Sequence, residues 1–323
     1  MSRKRVLVYR ALPASQLARI EQAHEVVCAN PRIAGQEQAF LAALGSVHGM
    51  IGASHTVDEA LLARAPNLEV VSNISVGVDN CRLDALHRRG ITLCHTPGVL
   101  NDAVVDLLLG MMIATSRRVV ELAQHVREGR WTSNVGEDLF GWNVYGKTLG
   151  ILGYGRIGQA LARRAALGFD MPVLYHTRRA TASGLPDGKA RAVSLDELLE
   201  ESDFVVVLVP LTAQTRGLVG PDQFSRMKPG AILINGARGP VVDEAALIAA
   251  LDGGRLRAAG LDVFDIEPLP YDSPLRTHPK VLPLPHIGSA THETRGAMAE
   301  MATSNLLLVL DGQTPLAAYP TAS

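Results

Sequence analysis

The sequence contains few aromatic residues, almost no net charge and little cysteine. Phe, Trp and Tyr make up 4% of the 323 residues, and 31 basic side chains nearly balance 32 acidic ones. Nucleic acids and anionic membranes attract surfaces with excess positive charge, and single strands also require aromatic stacking. The composition therefore argues against a nucleic acid or an anionic membrane as the main partner.

The three cysteines, Cys28, Cys81 and Cys94, are far apart and form no Cys-x-x-Cys motif. This spacing argues against a disulfide framework or a metal site and favours a reducing, cytoplasmic environment. Long apolar runs are also missing: none reaches the roughly 18 residues that would cross a bilayer. The apolar run near the N-terminus ends at Arg10 and favours a buried strand over a signal peptide.

Short apolar runs alternate with amphipathic stretches, which predicts an α/β fold with parallel sheets covered on both faces. The chain length suggests two domains of about 150 residues each. Strands are predicted at Val6–Tyr9, Gly49–Gly52, Val70–Ile74, Leu149–Leu152, Val173–Tyr175, Phe204–Val209, Ala231–Ile234 and Ala259–Val263. Helices are predicted at Ser15–Glu21, Gln36–Leu44, Val57–Ala65, Gly155–Ala166, Ser194–Glu200, Pro221–Met227, Glu244–Gly253 and His292–Leu310.

One long helix is predicted over Asn101–Glu128, because few residues interrupt its pattern and Asn101 is a suitable N-cap. Such a helix would extend about 40 Å and could join two domains. The segment Gly129–Gly146 contains both tryptophans, Trp131 and Trp142, and has little periodicity. It is predicted to be a loop or arm that packs on another surface, including that of a second subunit.

A glycine-rich turn follows the predicted strand Leu149–Leu152. The turn reads Gly153-Tyr-Gly155-Arg156-Ile157-Gly158 and leads into a helical pattern. The first glycine permits a tight turn, the second lets the backbone approach a pyrophosphate, and the third lets helix and strand pack closely. A predicted strand precedes the motif and a helical pattern follows it, and this context favours a dinucleotide site. The weaker alternative is a glycine-rich turn that binds no ligand.

The residues after the second strand of this unit indicate which dinucleotide binds. An NAD site usually has Asp or Glu about 20 residues beyond the glycines, for the ribose 2′-hydroxyl. Here Thr177, Arg178 and Arg179 follow instead, and two guanidiniums suit a 2′-phosphate. The sequence thus favours NADP(H) over NAD(H). The alternative is that both arginines are solvated surface charges and that NAD binds without an acid.

Arg238, Glu267 and His286 each follow an apolar, strand-like run. In an open α/β sheet, the carboxyl ends of the strands form the ligand edge. An Arg can hold a carboxylate and polarise a neighbouring carbonyl, a His can donate a proton, and a Glu can orient that His. Spacing alone makes this a weak indication, because a single His is more often a structural hydrogen-bonding residue.

Six short segments of the sequence match one known family: Ser75–Asn80, His95–Leu100, Gly153–Gly158, Asn235–Gly239, Gly260–Pro268 and Pro285–Thr291. Through them, and over nearly its full length, the sequence resembles the D-isomer-specific 2-hydroxyacid dehydrogenases. Within them it looks most similar to bacterial glyoxylate/hydroxypyruvate reductases that also reduce 2-ketogluconate. The missing acid after the second strand departs from the NAD-dependent members and agrees with the NADP-dependent ones. The closer similarity rests on Ser75–Asn80, Thr177–Arg179 and His286–Thr294.

The resemblance implies an NADP-dependent 2-hydroxyacid dehydrogenase that reduces glyoxylate, hydroxypyruvate or 2-ketogluconate. Arg238 would clamp the carboxylate, His286 would donate the proton and Glu267 would be its partner. The substrate-binding residues would be Ser75, Val76, Gly77, Arg238 and His286. The cofactor-binding residues would be Gly153, Gly155, Arg156, Ile157, Gly158, Thr177, Arg178, Arg179, Val209, Pro210, Asn235, Ala237, Arg238, Asp262, His286 and Gly288.

The resemblance also implies a domain arrangement and an oligomer. A Rossmann cofactor domain at 101–289 would be inserted into a flavodoxin-like substrate domain formed by 1–100 and 290–323, and the enzyme would be a homodimer. Two other functions stay open. One is a non-catalytic protein that senses NAD(P) and binds partners, although Arg238, Glu267 and His286 are all present. The other is a dehydrogenase of another small anion, such as formate or phosphite.

Overall fold

The computed structural model describes residues 3–178, 185 and 189–320. The chain divides into two compact units. The first unit comprises Met1–Leu100 and Ala290–Ser323, and the second comprises Asn101–Ser289. No helix among the described residues is long and apolar enough to cross a membrane.

The first unit is built on a five-stranded, all-parallel sheet in the order β2-β1-β3-β4-β5. Its strands are β1 (Arg5–Val8), β2 (Glu25–Cys28), β3 (Gly49–Gly52), β4 (Val70–Asn73) and β5 (Thr92–Cys94). Its helices are α1 (Ala14–Ala23), α2 (Glu37–Leu44), α3 (Glu59–Ala63), α4 (Leu83–Arg88) and the last helix of the chain, α11 (His292–Leu310). Helix α11 lies against β4, where the Ser72 hydroxyl donates to the Ala302 carbonyl at 2.7 Å.

The second unit contains a seven-stranded, all-parallel sheet in the order β12-β11-β10-β9-β6-β7-β8. Its strands are β6 (Leu149–Leu152), β7 (Val173–His176), β8 (Ala190–Ala192), β9 (Phe204–Val207), β10 (Ala231–Asn235), β11 (Leu256–Leu261) and β12 (Val281–Pro283). Its helices are α5 (Asn101–Ser116), α6 (Val119–Arg127), α7 (Arg156–Gly168), α8 (Leu195–Glu201), α9 (Pro221–Arg226) and α10 (Glu244–Asp252). The strand order reverses between β6 and β9, which makes this point of the carboxyl edge the expected ligand crevice.

The predicted α/β fold with two doubly wound parallel sheets is confirmed. The prediction of one helix over Asn101–Glu128 is wrong, because the chain breaks between α5 and α6. Arg118 there has a left-handed backbone with φ of 56°. The Ser116 carbonyl accepts the N–H of Trp142 at 2.9 Å, and the Ser116 hydroxyl donates to the Trp142 carbonyl at 3.0 Å. The helix therefore ends because a later segment binds its last turn.

Candidate active site

The glycine-rich turn joins β6 to α7, and each of its glycines lies in a different environment. Gly153 has φ of +107°, and a Cβ there would lie 2.7 Å from the carbonyl carbon of Leu208. A Cβ at Gly158 would lie 2.4 Å from the Gly153 carbonyl oxygen. At Gly155, by contrast, such a Cβ would meet no heavy atom of the described residues within 4 Å. The turn is closely packed except at Gly155, where its backbone is open to another molecule.

This geometry fits a dinucleotide. Helix α7 begins at Arg156, directly after the open glycine. The first N–H groups of a helix lack partners within the helix, and together with the helix dipole they favour a phosphate. Val209 and Pro210 follow β9 and lie beside this turn. The backbone nitrogen of Val209 is 2.8 Å from the position that a Cβ would have at Gly153.

The structure describes the first two residues after β7, and neither has an acidic side chain that could bind an adenosine ribose. Thr177, which is half-buried, and the exposed Arg178 come directly after the strand. His176 lies at the end of the strand, and its Nδ1 is 3.0 Å from the Val193 carbonyl oxygen. Arg179, the other predicted phosphate-binding residue, lies outside the described residues.

The loop after β10 presents Arg238, and the buried side chain of Asn235 shapes that loop. The Asn235 amide nitrogen donates to the Arg238 carbonyl at 3.1 Å, and its amide oxygen accepts the Ala237 N–H at 3.1 Å. The Arg238 guanidinium donates to the Ala237 carbonyl at 2.8 Å. Asn235 was predicted to contact the cofactor, and the structure gives its amide a role in holding the loop.

Gly239 brings the Arg238 loop against the turn that carries Glu267. A Cβ at Gly239 would lie 1.9 Å from the carbonyl carbon of Phe264, so only glycine allows this contact. The positive charge of Arg238 is close enough to contribute to lowering the pKa of Glu267. From the sequence, Gly239 is only the last residue of the motif Asn235–Gly239 and has no predicted role, because the segments in contact are far apart in the chain.

Glu267 and His286 form a hydrogen-bonded pair. The Nδ1 atom of His286 lies 2.7 Å from Oε2 of Glu267, while Oε1 accepts the backbone N–H of Phe264 at 3.1 Å. Burial alone would raise the pKa of Glu267, but the bond and charge of His286, the Phe264 N–H and Arg238 together lower it. An ionised Glu267 can only accept a hydrogen bond, so the hydrogen between the two residues is on Nδ1 of His286. Nε2 of His286 is then the nitrogen that can exchange a proton.

Asp262 organises the backbone around His286. His286 has a left-handed φ of 54°, which is unusual for a residue other than glycine. The two oxygens of the buried Asp262 accept the N–H groups of Ile287 at 2.7 Å and Gly288 at 2.8 Å. Burial raises the pKa of this carboxyl, and the two N–H groups act in the opposite direction.

The predicted carboxylate-binding loop, Ser75–Gly77, belongs to the first unit and follows β4. Its carbonyl oxygens are held by the protein: Gly77 accepts from the Asn73 amide at 2.9 Å, and Ser75 accepts from the Thr96 N–H at 3.0 Å. Within the part of the chain that the structure describes, the N–H groups of Val76 and Gly77 have no hydrogen-bond acceptor. Two adjacent N–H groups of this kind suit a carboxylate.

The residues described by the structure contain no group of three His, Cys, Asp or Glu side chains placed to hold a metal ion.

The fold and the site define the class of protein: a parallel, doubly wound sheet with a glycine turn at its switch point is a dinucleotide-binding domain. The sequence model described as D-isomer specific 2-hydroxyacid dehydrogenase, NAD binding domain, matches residues 109–288. The chain belongs to this family, as the sequence motifs predicted.

Individual relatives agree with this assignment over nearly the whole chain. Glyoxylate/hydroxypyruvate reductase B of Escherichia fergusonii is 50% identical over 307 residues, which is 95% of each chain. The protein of the same name from Salmonella typhimurium is 52% identical over 309 residues, again 95% of each chain.

Solved structures support the same relationship. The NADPH-dependent glyoxylate/hydroxypyruvate reductase from Sinorhizobium meliloti, in complex with NADP and malonate, is 33% identical with a TM-score of 0.87; the match covers 99% of this chain and 98% of that one. A protein from Thermus thermophilus is 44% identical with a TM-score of 0.89, covering 98% of this chain and 100% of that one.

Proposed function

We propose that this protein is an NADPH-dependent reductase that converts small 2-keto acids to D-2-hydroxy acids. The candidate substrates are glyoxylate, hydroxypyruvate and 2-ketogluconate. The observation that carries the proposal is the hydrogen-bonded pair of Glu267 and His286 beside Arg238 at the carboxyl edge of the second sheet. The names of the relatives from Escherichia fergusonii and Salmonella typhimurium point to the same reaction.

Each of the three residues has a distinct task in this reaction. Arg238 binds the substrate carboxylate. NADPH, held at the glycine turn of the second unit, would supply the hydride for the keto carbon. His286 donates the proton from Nε2 to the keto oxygen, and Glu267 stabilises and orients its imidazolium. One hydride and one proton add across the C=O bond, which gives the alcohol.

The second unit, 101–289, is the proposed cofactor domain, and 1–100 with 290–323 is the proposed substrate domain. The open Gly155 and the start of α7 would hold the phosphates. Arg178 and Arg179 would bind a 2′-phosphate, which supports a preference for NADP(H) over NAD(H). The absence of an acid after β7, within the described residues, supports the same preference.

A homodimer in the cytoplasm is also part of this proposal. Several large apolar side chains are exposed in α6 and in the segment from α6 to the start of β6, and exposed apolar surface commonly meets another protein. They are Val119, Val120, Val126, Trp131, Val135, Phe140, Trp142 and Tyr145. Sedimentation equilibrium tests the dimer, and a protein that remains monomeric at micromolar concentration would contradict it.

The function is tested by following the absorbance of reduced nicotinamide, with NADPH and NADH in parallel, against glyoxylate, hydroxypyruvate, 2-ketogluconate and pyruvate. Rapid NADPH oxidation with one of the first three supports the proposal and ranks the substrates. Cofactor binding without oxidation by any keto acid would contradict it and favour a sensor protein. Reduction of NADP in the presence of formate or phosphite would instead indicate a dehydrogenase of another anion.

A further inference from the structure

Glu244 is the first residue of α10, but its side chain forms a hydrogen bond outside its own helix. Its Oε1 atom accepts the backbone N–H of Asp265 at 2.8 Å. The N-cap of the same helix is Asp243, whose Oδ1 accepts the N–H of Ala246 at 3.0 Å. Because Asp243 already caps the helix, the bond from Glu244 has a different consequence: it connects α10 to a turn that lies 21 residues further along the chain.

That turn carries Glu267. Two successive backbone N–H groups of the turn each donate to a carboxylate: Phe264 donates to Glu267 itself, and Asp265 donates to Glu244. The peptide between Phe264 and Asp265 also lies directly on Gly239, the residue after Arg238. Glu244 therefore helps to hold the Glu267 turn against the segment that presents Arg238.

Glu244 accepts this bond at the protein surface. Its side chain is partly buried, and this burial raises its pKa, while the Asp265 N–H acts in the opposite direction. A hydrogen bond from a backbone N–H to a carboxylate is charge-assisted, and such bonds are shorter and stronger than neutral ones.

We propose that Glu244 is a positioning residue for the reduction: by holding the Asp265 N–H it fixes the turn that carries Glu267, and through Glu267 the orientation of His286. This inference rests on the proposed function. A proton donor displaced by about 1 Å can lower a rate by about 100-fold. Among the described residues, no hydrogen bond or ion pair joins Glu244 to His286, so Glu244 would act on His286 only through the turn.

Two substitutions separate the reach of the side chain from its charge. Glu244→Asp keeps the charge at the start of α10 but is one methylene shorter, so it cannot reach the Asp265 N–H without moving the turn. Glu244→Gln keeps the reach and an acceptor oxygen but has no charge. Glu37→Ala is the matched control, because Glu37 is the exposed first residue of α2 in the other unit.

We expect Glu244→Asp to lower kcat by roughly 10- to 100-fold at saturating keto acid, with KM for NADPH unchanged. Glu244→Gln should retain most of the activity, and Glu37→Ala should behave as the wild type. Thermal unfolding of each variant checks that it is folded. The proposal is overturned if Glu244→Asp is fully active, or if Glu244→Gln loses as much activity as Glu244→Asp.

A double variant tests whether Glu244 acts through Glu267. In a Glu267→Ala background, adding Glu244→Asp should cause little further loss of kcat, whereas multiplied losses would overturn the proposal. If Glu267→Ala and His286→Ala keep full activity, the proposed function itself has failed. If those two lose activity while Glu244→Asp does not, only the positioning role is wrong.

Discussion

The carboxylate of Asp262 accepts the backbone N–H groups of the two residues that directly follow His286, at 2.7 and 2.8 Å. This arrangement holds the left-handed backbone of His286, with φ of 54°, which would otherwise cost free energy. The same histidine bonds through its side chain to Glu267 at 2.7 Å. Its backbone and its imidazole are thus fixed by two different carboxylates.

Substitution of His286 tests the central role. We expect His286→Ala to slow turnover by roughly 10²- to 10⁴-fold, because the proton donor is lost. Cofactor affinity, measured by quenching of protein fluorescence with NADPH, should survive. His278→Ala is a suitable control, since His278 pairs with Asp252 elsewhere in the second unit. Turnover of His286→Ala at the wild-type rate would disprove the assignment.

Asp262→Asn should loosen the segment that follows His286. An asparagine offers one acceptor oxygen in place of two, so one of the N–H groups of Ile287 and Gly288 would lose its partner. A lost buried hydrogen bond of this kind costs about 1–3 kcal/mol of the free energy of unfolding. Urea denaturation measures this loss, and the exposed Asp265→Asn provides the comparison. Equal stability of the two variants would contradict the role given to Asp262.

Two glycines of the same turn should respond differently to alanine. Gly158→Ala would place its Cβ against the Gly153 carbonyl oxygen, at 2.4 Å, and we expect it to lower the melting temperature. Gly155→Ala meets no atom of the described residues within 4 Å, so it should fold normally. It should nevertheless raise KM for NADPH, because the methyl group occupies the space proposed for the pyrophosphate. An unchanged KM in Gly155→Ala would argue against phosphate binding at this turn.

The arginines after β7 should determine the preference between the two cofactors. Replacing Arg178 and Arg179 with glutamine should raise KM for NADPH far more than KM for NADH, because only NADPH carries the 2′-phosphate. Arg163→Gln, on an exposed position of α7, controls for the loss of positive charge. Equal changes in the two KM values would mean that these arginines do not bind the phosphate.

The stability of the protein should depend on pH through Glu267. Its pKa in the folded protein lies below its ordinary value of 4.5, so ionised Glu267 stabilises the fold. This contribution is present in full above pH 4.5 and is lost as the pH falls through the lower, folded-state pKa. The difference in melting temperature between the wild type and Glu267→Gln should therefore shrink on acidification. A difference that stays constant down to about pH 3 would contradict the lowered pKa.

The sequence alone determined the features whose causes lie close together in the chain. The strand, glycine turn and helix of 149–168 were predicted because their apolar run, glycines and helical pattern are all local. The parallel α/β fold followed from the alternation of such units. The motifs around Arg238, Glu267 and His286 also identified the family, because each of them is a short continuous segment.

Features that depend on contacts between distant segments became visible only in the folded protein. The four edge strands β2, β5, β8 and β12 were missed: β5, β8 and β12 have only three residues each, and the four residues of β2 include no buried one. The break before α6 was missed because Trp142, and not a helix-breaking residue, ends α5. The contacts of Gly239, Asp262 and Glu244 were hidden for the same reason. Each of these contacts joins segments about 20 residues or more apart in the sequence. In the contacts of Asp262 and Glu244 the donor is a backbone N–H, so the type of the donor residue does not reveal the hydrogen bond.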